Sequence, residues 1–229
     1  MVKTGKSQNL MQAVGKILVF NMDKEYWDKF YKDYSSRDDI SDCSTFASFC
    51  CNNYFNKTPK TIVDLGCGNA RDAKHFARKH LVYGIDQSID KEVINTNKSS
   101  LLKLIEQDFV HDEYNFNEYI DVFYSRFTIH SITEEDQKEL LPKAYNFLNS
   151  GGLFCVEVRT TKDPKFKVGK HVCDTTYFND GHTRRFIDSQ EFLNEVLSLG
   201  FKLKYFNEQD NLSVYKDDNP VLMRIILEK

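Results

Sequence analysis

Apolar and polar positions change their spacing several times along the chain, and those changes divide it. In residues 24–35, KEYWDKFYKDYS, Tyr26, Trp27, Phe30, Tyr31 and Tyr34 recur at helical intervals within a charged segment. Such a stripe predicts a helix whose aromatic face covers a core or lines a cleft. A second amphipathic stretch, Thr45–Phe55, runs up to Pro59. From Lys60 short apolar runs alternate with helical patterns. TIVDLG predicts a strand, Ala70–Arg78 a helix burying Ala70, Ala73, Phe76 and Ala77, and LVYGID a second strand, with Ser88 able to cap the segment after it. LLKLI and YIDVFYS predict the third and fourth strands.

Thr133-Glu134-Glu135-Asp136 has the form of a capping box, and Pro142 should end or kink the helix it opens. Asn149–Gly152 predicts a turn into the strand LFCVEV. Alternation of this kind predicts a largely parallel sheet covered on both faces. Residues 159–188 break the rhythm as a long polar, lysine-rich connection. A helix from Ser189 to Gly200 comes next, then two strands, Phe201–Phe206 and Val221–Leu227, expected to pair antiparallel. The chain thus reads as an N-terminal helical cover (1–57) on an α/β core (58–229), with 159–188 as a loop or lid.

Composition narrows the class. No apolar run approaches about 18 residues, so no spanning helix is expected, nor is KILVFNM long enough for a secretory signal. Six cysteines without a CxxC pair suggest reduced thiols and a cytoplasmic protein, and the six histidines show no metal-ligand spacing. No metal is expected. The net charge of -3 argues against a nucleic-acid or membrane partner, although it permits a local basic pocket. Only eight of the 31 basic residues are arginines, which makes the position of each informative.

The sharpest motif is VDLGCGNARDAKHFA (63–77), in which a strand delivers Gly66 and Gly68 into a turn that opens a helix. Glycines there allow a ligand to approach the backbone closely, and Asp86 at the end of the second strand can accept ribose hydroxyls. Arg71 occupies the position where a dinucleotide fingerprint wants a third glycine, and Asp64 adds negative charge that suits a cationic ligand better than a pyrophosphate. Taken with GID (84–86), QDF (107–109), IDVFYSRFTIHSI (120–132) and NSGGLFCVEV (149–158), this motif resembles the class I S-adenosylmethionine-dependent methyltransferases.

The resemblance implies a Rossmann-like, seven-stranded, mostly parallel sheet with one antiparallel strand near the C-terminus. It implies that Asp64, Gly66 and Gly68 hold the methionine end of S-adenosylmethionine, that Arg71 helps hold the cofactor carboxylate or pairs with Asp72, and that Tyr26 and Tyr31 close over the same end. Asp86 would hold the ribose and Gln107, Asp108 and Phe109 the adenine, and Gln87 and Ser125 are further cofactor candidates. His130 and Arg126, after the fourth strand, are the catalytic candidates, His130 either as a base or as a hydrogen-bond donor.

Arg159, His182, Arg184 and Arg185 are expected to bind the acceptor. Half of the arginines gather at this one edge, and a planar cationic fork suits a phosphate or carboxylate. The segments YWDKFY, FYSRFTIHSI and GHTRRFI look like those of bacterial surface-polysaccharide methyltransferases, including the O-methyl phosphoramidate branch. The expected activity is therefore O-methylation of a small anionic acceptor. A sugar hydroxyl of a sugar phosphate or nucleotide sugar is the alternative, and a non-catalytic cofactor-binding subunit is a third reading. Oligomeric state is left open.

Overall fold

A computed structural model describes residues 26–29, 42–116 and 119–229. Residues 26–29 are helical, and helix α1 spans Thr45–Asn53. The alternating pattern then folds into β1 (Thr61–Leu65), α2 (Arg71–Phe76), β2 (Leu81–Asp86), α3 (Lys91–Thr96), β3 (Leu102–Glu106), β4 (Ile120–Arg126), α4 (Glu134–Phe147) and β5 (Leu148–Arg159). Three short strands, β6 (Lys170–Cys173), β7 (Thr176–Asn179) and β8 (His182–Arg185), precede α5 (Ser189–Ser198), β9 (Lys202–Gln209) and β10 (Leu222–Glu228). One seven-stranded sheet has the order β3-β2-β1-β4-β5-β10-β9. Its first five strands in that order are parallel, while β10 runs antiparallel to both β5 and β9.

Two apolar clusters flank the sheet, as strands that are apolar on both faces require. One packs α4 and α5 through Leu140, Leu141, Ala144, Phe192 and Val196. The other packs α1 and α2 through Phe46, Cys50, Ala73 and Phe76. Helix α1 is part of this core, since Phe46, Ala47 and Cys50 are fully buried. Glu157 of β5, also fully buried, accepts from Arg126 Nε (2.9 Å) on β4 and Arg224 Nε (2.5 Å) on β10, so the two flanking strands are tied by charge through the middle one.

Three local expectations change. Residues 170–185 are not an irregular connection, because β6, β7 and β8 pair into a three-stranded antiparallel sheet. Hydrogen bonds from Ile187 N to Arg159 O and from Thr161 N to Ile187 O hold it at the C-terminal end of β5. Helix α4 runs on through Pro142, and burial of Leu140, Leu141 and Ala144 offsets the lost backbone bond. The cap before α3 is Asp90, which accepts from Glu92 N, leaving Ser88 in the loop. The capping box at Thr133 and Asp136 forms with both of its reciprocal bonds.

Candidate active site

The C-terminal ends of β1, β2, β4 and β5 open into one cleft of about 700 Å³, the position expected for ligands in an open α/β sheet. Its first half is acidic. Asp64, near the end of β1, is buried, and burial together with the carboxylates of Asp72 and Asp86 pushes its pKa well above the usual range. Gly66 has φ +68°, and a Cβ there would lie 2.4 Å from Thr128 Oγ1, so only glycine lets the β1 turn pass the β4 loop. Asp86 accepts from Gly68 N (2.9 Å) and Ser88 N (2.8 Å), which fixes its plane at the wall of the cleft. Gly68 acts through that bond and does not itself line the cleft.

Asp72, expected from the sequence only as a pairing partner for Arg71, has a larger set of partners in the structure. It is buried at the start of α2 and accepts from Ser44 N (2.6 Å), Ser44 Oγ (2.7 Å) and Tyr124 Oη (2.8 Å). Ser44 also caps α1 by accepting from Ala47 N, so one carboxylate joins α1, α2 and β4 at the cleft. The adjacency of Asp72 to the glycine turn was a usable signal, but its partners lie 28 and 52 residues away. Arg71 lines the cleft beside it, with Nε 3.9 Å from Asp72.

Gln87 and Phe109 also line the cleft, Gln87 exposed and Phe109 buried. Asp108 lies there too, accepting from Val110 N, His111 N and His111 Nδ1, and these bonds hold its pKa low. Gln107 turns away to donate to Glu113 O. Ser125 is fully buried beneath the cleft and does not line it. Tyr31 lies outside the described residues. Tyr26, expected over the methionine end, lines the cleft and stacks on His182 at 4.5 Å, with Trp27 edge-on at 5.7 Å.

The other half is built by β4, the 3-10 turn Ile129–Ser131, the end of β5 and β8. Phe127, just after β4, has φ +60°, a left-handed conformation unusual for a bulky residue. The turn places buried His130 so that its Nδ1 accepts from Arg159 N (3.1 Å). A backbone N–H can only donate, so Nδ1 is the unprotonated nitrogen and neutral His130 carries its proton on Nε2. Burial, then the charges of Arg184, Arg159 and Arg185, depress its pKa well below the usual value. Nε2–H has no partner among the described residues, and His130 lines the cleft.

The arginines divide by partner. Arg126 donates Nε to Glu157 and an Nη to Ser213 (2.8 Å), while its guanidinium lies 4.0 Å over the Phe127 ring. Arg159 donates to Asp163 (2.9 Å) and to Asp218 of the β9–β10 loop, so its fork is neutralised within the protein. Arg185 does not line the cleft; it bonds the carbonyls of Ile129 and Ile132 and the amide of Gln137. Arg184 does line it, and among the described residues no carboxylate pairs with it. One Nη donates to His182 Nε2 (2.7 Å), and burial and nearby Arg159 lower the Arg184 pKa. His182 is itself pushed down to about 4, chiefly by burial. Ser213 and Asp218 belong to a loop that the sequence did not connect with the site.

Residues 62–152 match a methyltransferase domain family. Over that stretch the chain is similar to a methyltransferase domain. Its fold is that of the class I, S-adenosylmethionine-dependent methyltransferases. The match spans the glycine turn and β4 and stops before β6–β8. Among solved structures, the chain is similar to the 1,6-didemethyltoxoflavin-N1-methyltransferase of Burkholderia thailandensis, at 14% identity and TM-score 0.64, covering 90% of each chain. A methyltransferase of Clostridium acetobutylicum has 16% identity and TM-score 0.61, covering 88% of this chain and 98% of that one. The [4+2]-cyclase SpnF has 12% identity and TM-score 0.62, covering 84% and 85%. No curated protein matches the sequence. Among the described residues there is no metal-binding cluster, and no helix is long and apolar enough to cross a membrane.

Proposed function

We propose that the protein transfers the methyl group of S-adenosylmethionine to an oxygen of a small anionic acceptor, and that Arg184 and the Nε2–H of His130 hold that acceptor. The observation that carries this reading is an arginine in the cleft with no carboxylate partner among the described residues, close to a histidine fixed as a donor. An anion would relieve the charge that burial and Arg159 make costly at Arg184. On the other side, Asp64, Asp72 and Asp86 form an acidic wall that fits a cationic amino acid end, and Asp86 sits where ribose hydroxyls would be accepted. When bound, S-adenosylmethionine supplies an electrophilic methyl and a good thioether leaving group.

The residues then have mainly to align. An oxygen that is already anionic needs no base, and a nucleophile held in line obtains much of its rate from orientation. The His130 tautomer supports this division of labour: Nε2 bears a hydrogen, so it can donate but has no lone pair with which to take a proton from a sugar hydroxyl. Within the anionic class we favour a phosphate or phosphoramidate oxygen of a surface-polysaccharide precursor, on the likeness of YWDKFY, FYSRFTIHSI and GHTRRFI to that branch.

The test is calorimetry against S-adenosylhomocysteine and NAD, followed by labelled-methyl transfer to sugar phosphates, nucleotide sugars, phosphoramidates and small carboxylates. Binding of the sulfur compound and turnover confined to charged acceptors is expected. Equal turnover of a neutral relative would defeat the anion site. Cofactor binding with no transfer to any acceptor would favour the accessory reading, a real alternative because this fold also occurs in a cyclase.

A further inference from the structure

Arg184 and Arg185 are neighbours on β8, and successive side chains of a strand point to opposite faces. One lines the cleft and the other turns behind it. There Arg185 is 7% exposed and donates Nε to Ile132 O (3.0 Å), and one Nη to both Ile129 O (2.9 Å) and Gln137 Oε1 (2.7 Å). The two carbonyls belong to the first residue of the 3-10 turn Ile129–Ser131 and to the residue that follows it, with His130 between them. Gln137 is held in turn, donating Nε2 to Glu195 (2.5 Å), so the clamp is anchored on α4 and α5.

Resting on the reading of His130 as an acceptor-binding donor, we infer that Arg185 is a positioning residue: it clamps the turn that carries His130 and so holds the imidazole in its Nδ1-acceptor, Nε2–H tautomer. An arginine buried only to stabilise the fold would be expected to meet a carboxylate. Among the described residues none pairs with Arg185, and burial brings its pKa down to about 10. The planar fork instead joins two backbone carbonyls and an amide in one geometry, which a lysine ammonium on a flexible stem does not reproduce. The bond from Arg159 N to His130 Nδ1 supplies the second constraint, and it survives only if the turn stays in register with the end of β5.

The experiment is nitrogen-15 NMR of histidine-labelled protein bound to S-adenosylhomocysteine, comparing wild type with Arg185→Met, Arg185→Lys and Gln137→Leu. In wild type His130 should show one pyridine-like and one pyrrole-like nitrogen, and inorganic phosphate should shift the Nε2–H signal. In Arg185→Met the two nitrogens should average, and phosphate affinity at His130 should fall roughly 100-fold, the scale of a misplaced site group. Arg185→Lys should recover part of this, and Gln137→Leu should show a smaller change of the same kind. Unaltered His130 signals in folded Arg185→Met overturn the inference. If that variant does not fold, unaltered signals in both Arg185→Lys and Gln137→Leu overturn it. Full methyl transfer by His130→Ala alongside averaged His130 nitrogens in Arg185→Met would remove the donor reading and leave the clamp standing.

Discussion

In the proposed reading three side chains carry most of the chemistry: Asp64, His130 and Arg184. Because His130 is neutral and keeps its Nε2 proton, catalysis should not rise and fall with an ordinary histidine titration. We expect His130→Ala to lower turnover roughly 100-fold, the scale of a lost stabilising donor, while cofactor affinity is unchanged. The wild-type rate should show no inflection near pH 6.5, the usual histidine value. A base-type inflection there, lost in His130→Ala, would return His130 to the role of proton acceptor. Asp64 behaves in the opposite sense. Its pKa is raised in the unliganded protein, so a cationic ligand that favours the carboxylate should expel a proton on binding. Calorimetry of S-adenosylhomocysteine in buffers of different ionisation enthalpy should detect that release, and affinity should climb as pH rises. In Asp64→Asn the release should vanish and affinity fall roughly 10- to 100-fold, the cost of one charged hydrogen bond.

At the scale of elements, the site depends on how close two turns approach. The β1–α2 turn and the β4 loop meet at Gly66 and Thr128, and Thr128 Oγ1 donates to Leu65 O (2.7 Å). Gly66→Ala should therefore lose cofactor binding and unfold at lower urea, by at least about 1 kcal/mol for the left-handed backbone alone. The double variant Gly66→Ala/Thr128→Ala should regain part of the loss, because it removes the clash and leaves the backbone cost. Stability of Gly66→Ala equal to wild type would show that the turns do not meet this closely. The glycine turn was legible because every part of it lies within a few consecutive residues. The sheet β6–β8 was not, since its strands are four residues each with mixed polar and aromatic side chains, and strands that short give no clear alternation. Pro142 shows the same limit: local propensity predicted an end or a kink, and the helix does not end there, with Leu140, Leu141 and Ala144 buried around the proline.

Across the whole molecule, charge is separated along one cleft, acidic toward β1 and β2 and basic toward β8. Stability should follow pH accordingly. His130 and His182 have depressed values in the folded state, so below about pH 6.5 the unfolded chain binds protons that the folded chain refuses. The unfolded state then holds more protons, and the thermal midpoint should drop as pH falls from about 6.5 toward the His182 value of about 4. His182→Gln should flatten part of that fall, and a wild-type midpoint constant between pH 6.5 and 5 would refute it. Carboxylates held low by partners, such as Asp218, lose their contribution only further down, as pH falls through their own depressed values. The amino-acid order alone established the α/β alternation, the glycine turn and the acidic residues at the strand ends, because each depends on neighbours in sequence. It also brought the arginines to one edge, but not their roles. Which arginine meets a carboxylate, which clamps a turn and which faces the cleft was settled by partners 31 to 59 residues away, at Glu157, Asp218 and Ile132. The His130 tautomer was settled in the same way, by a backbone N–H 29 residues on, and a hydrogen bond of that kind has no signature in local spacing.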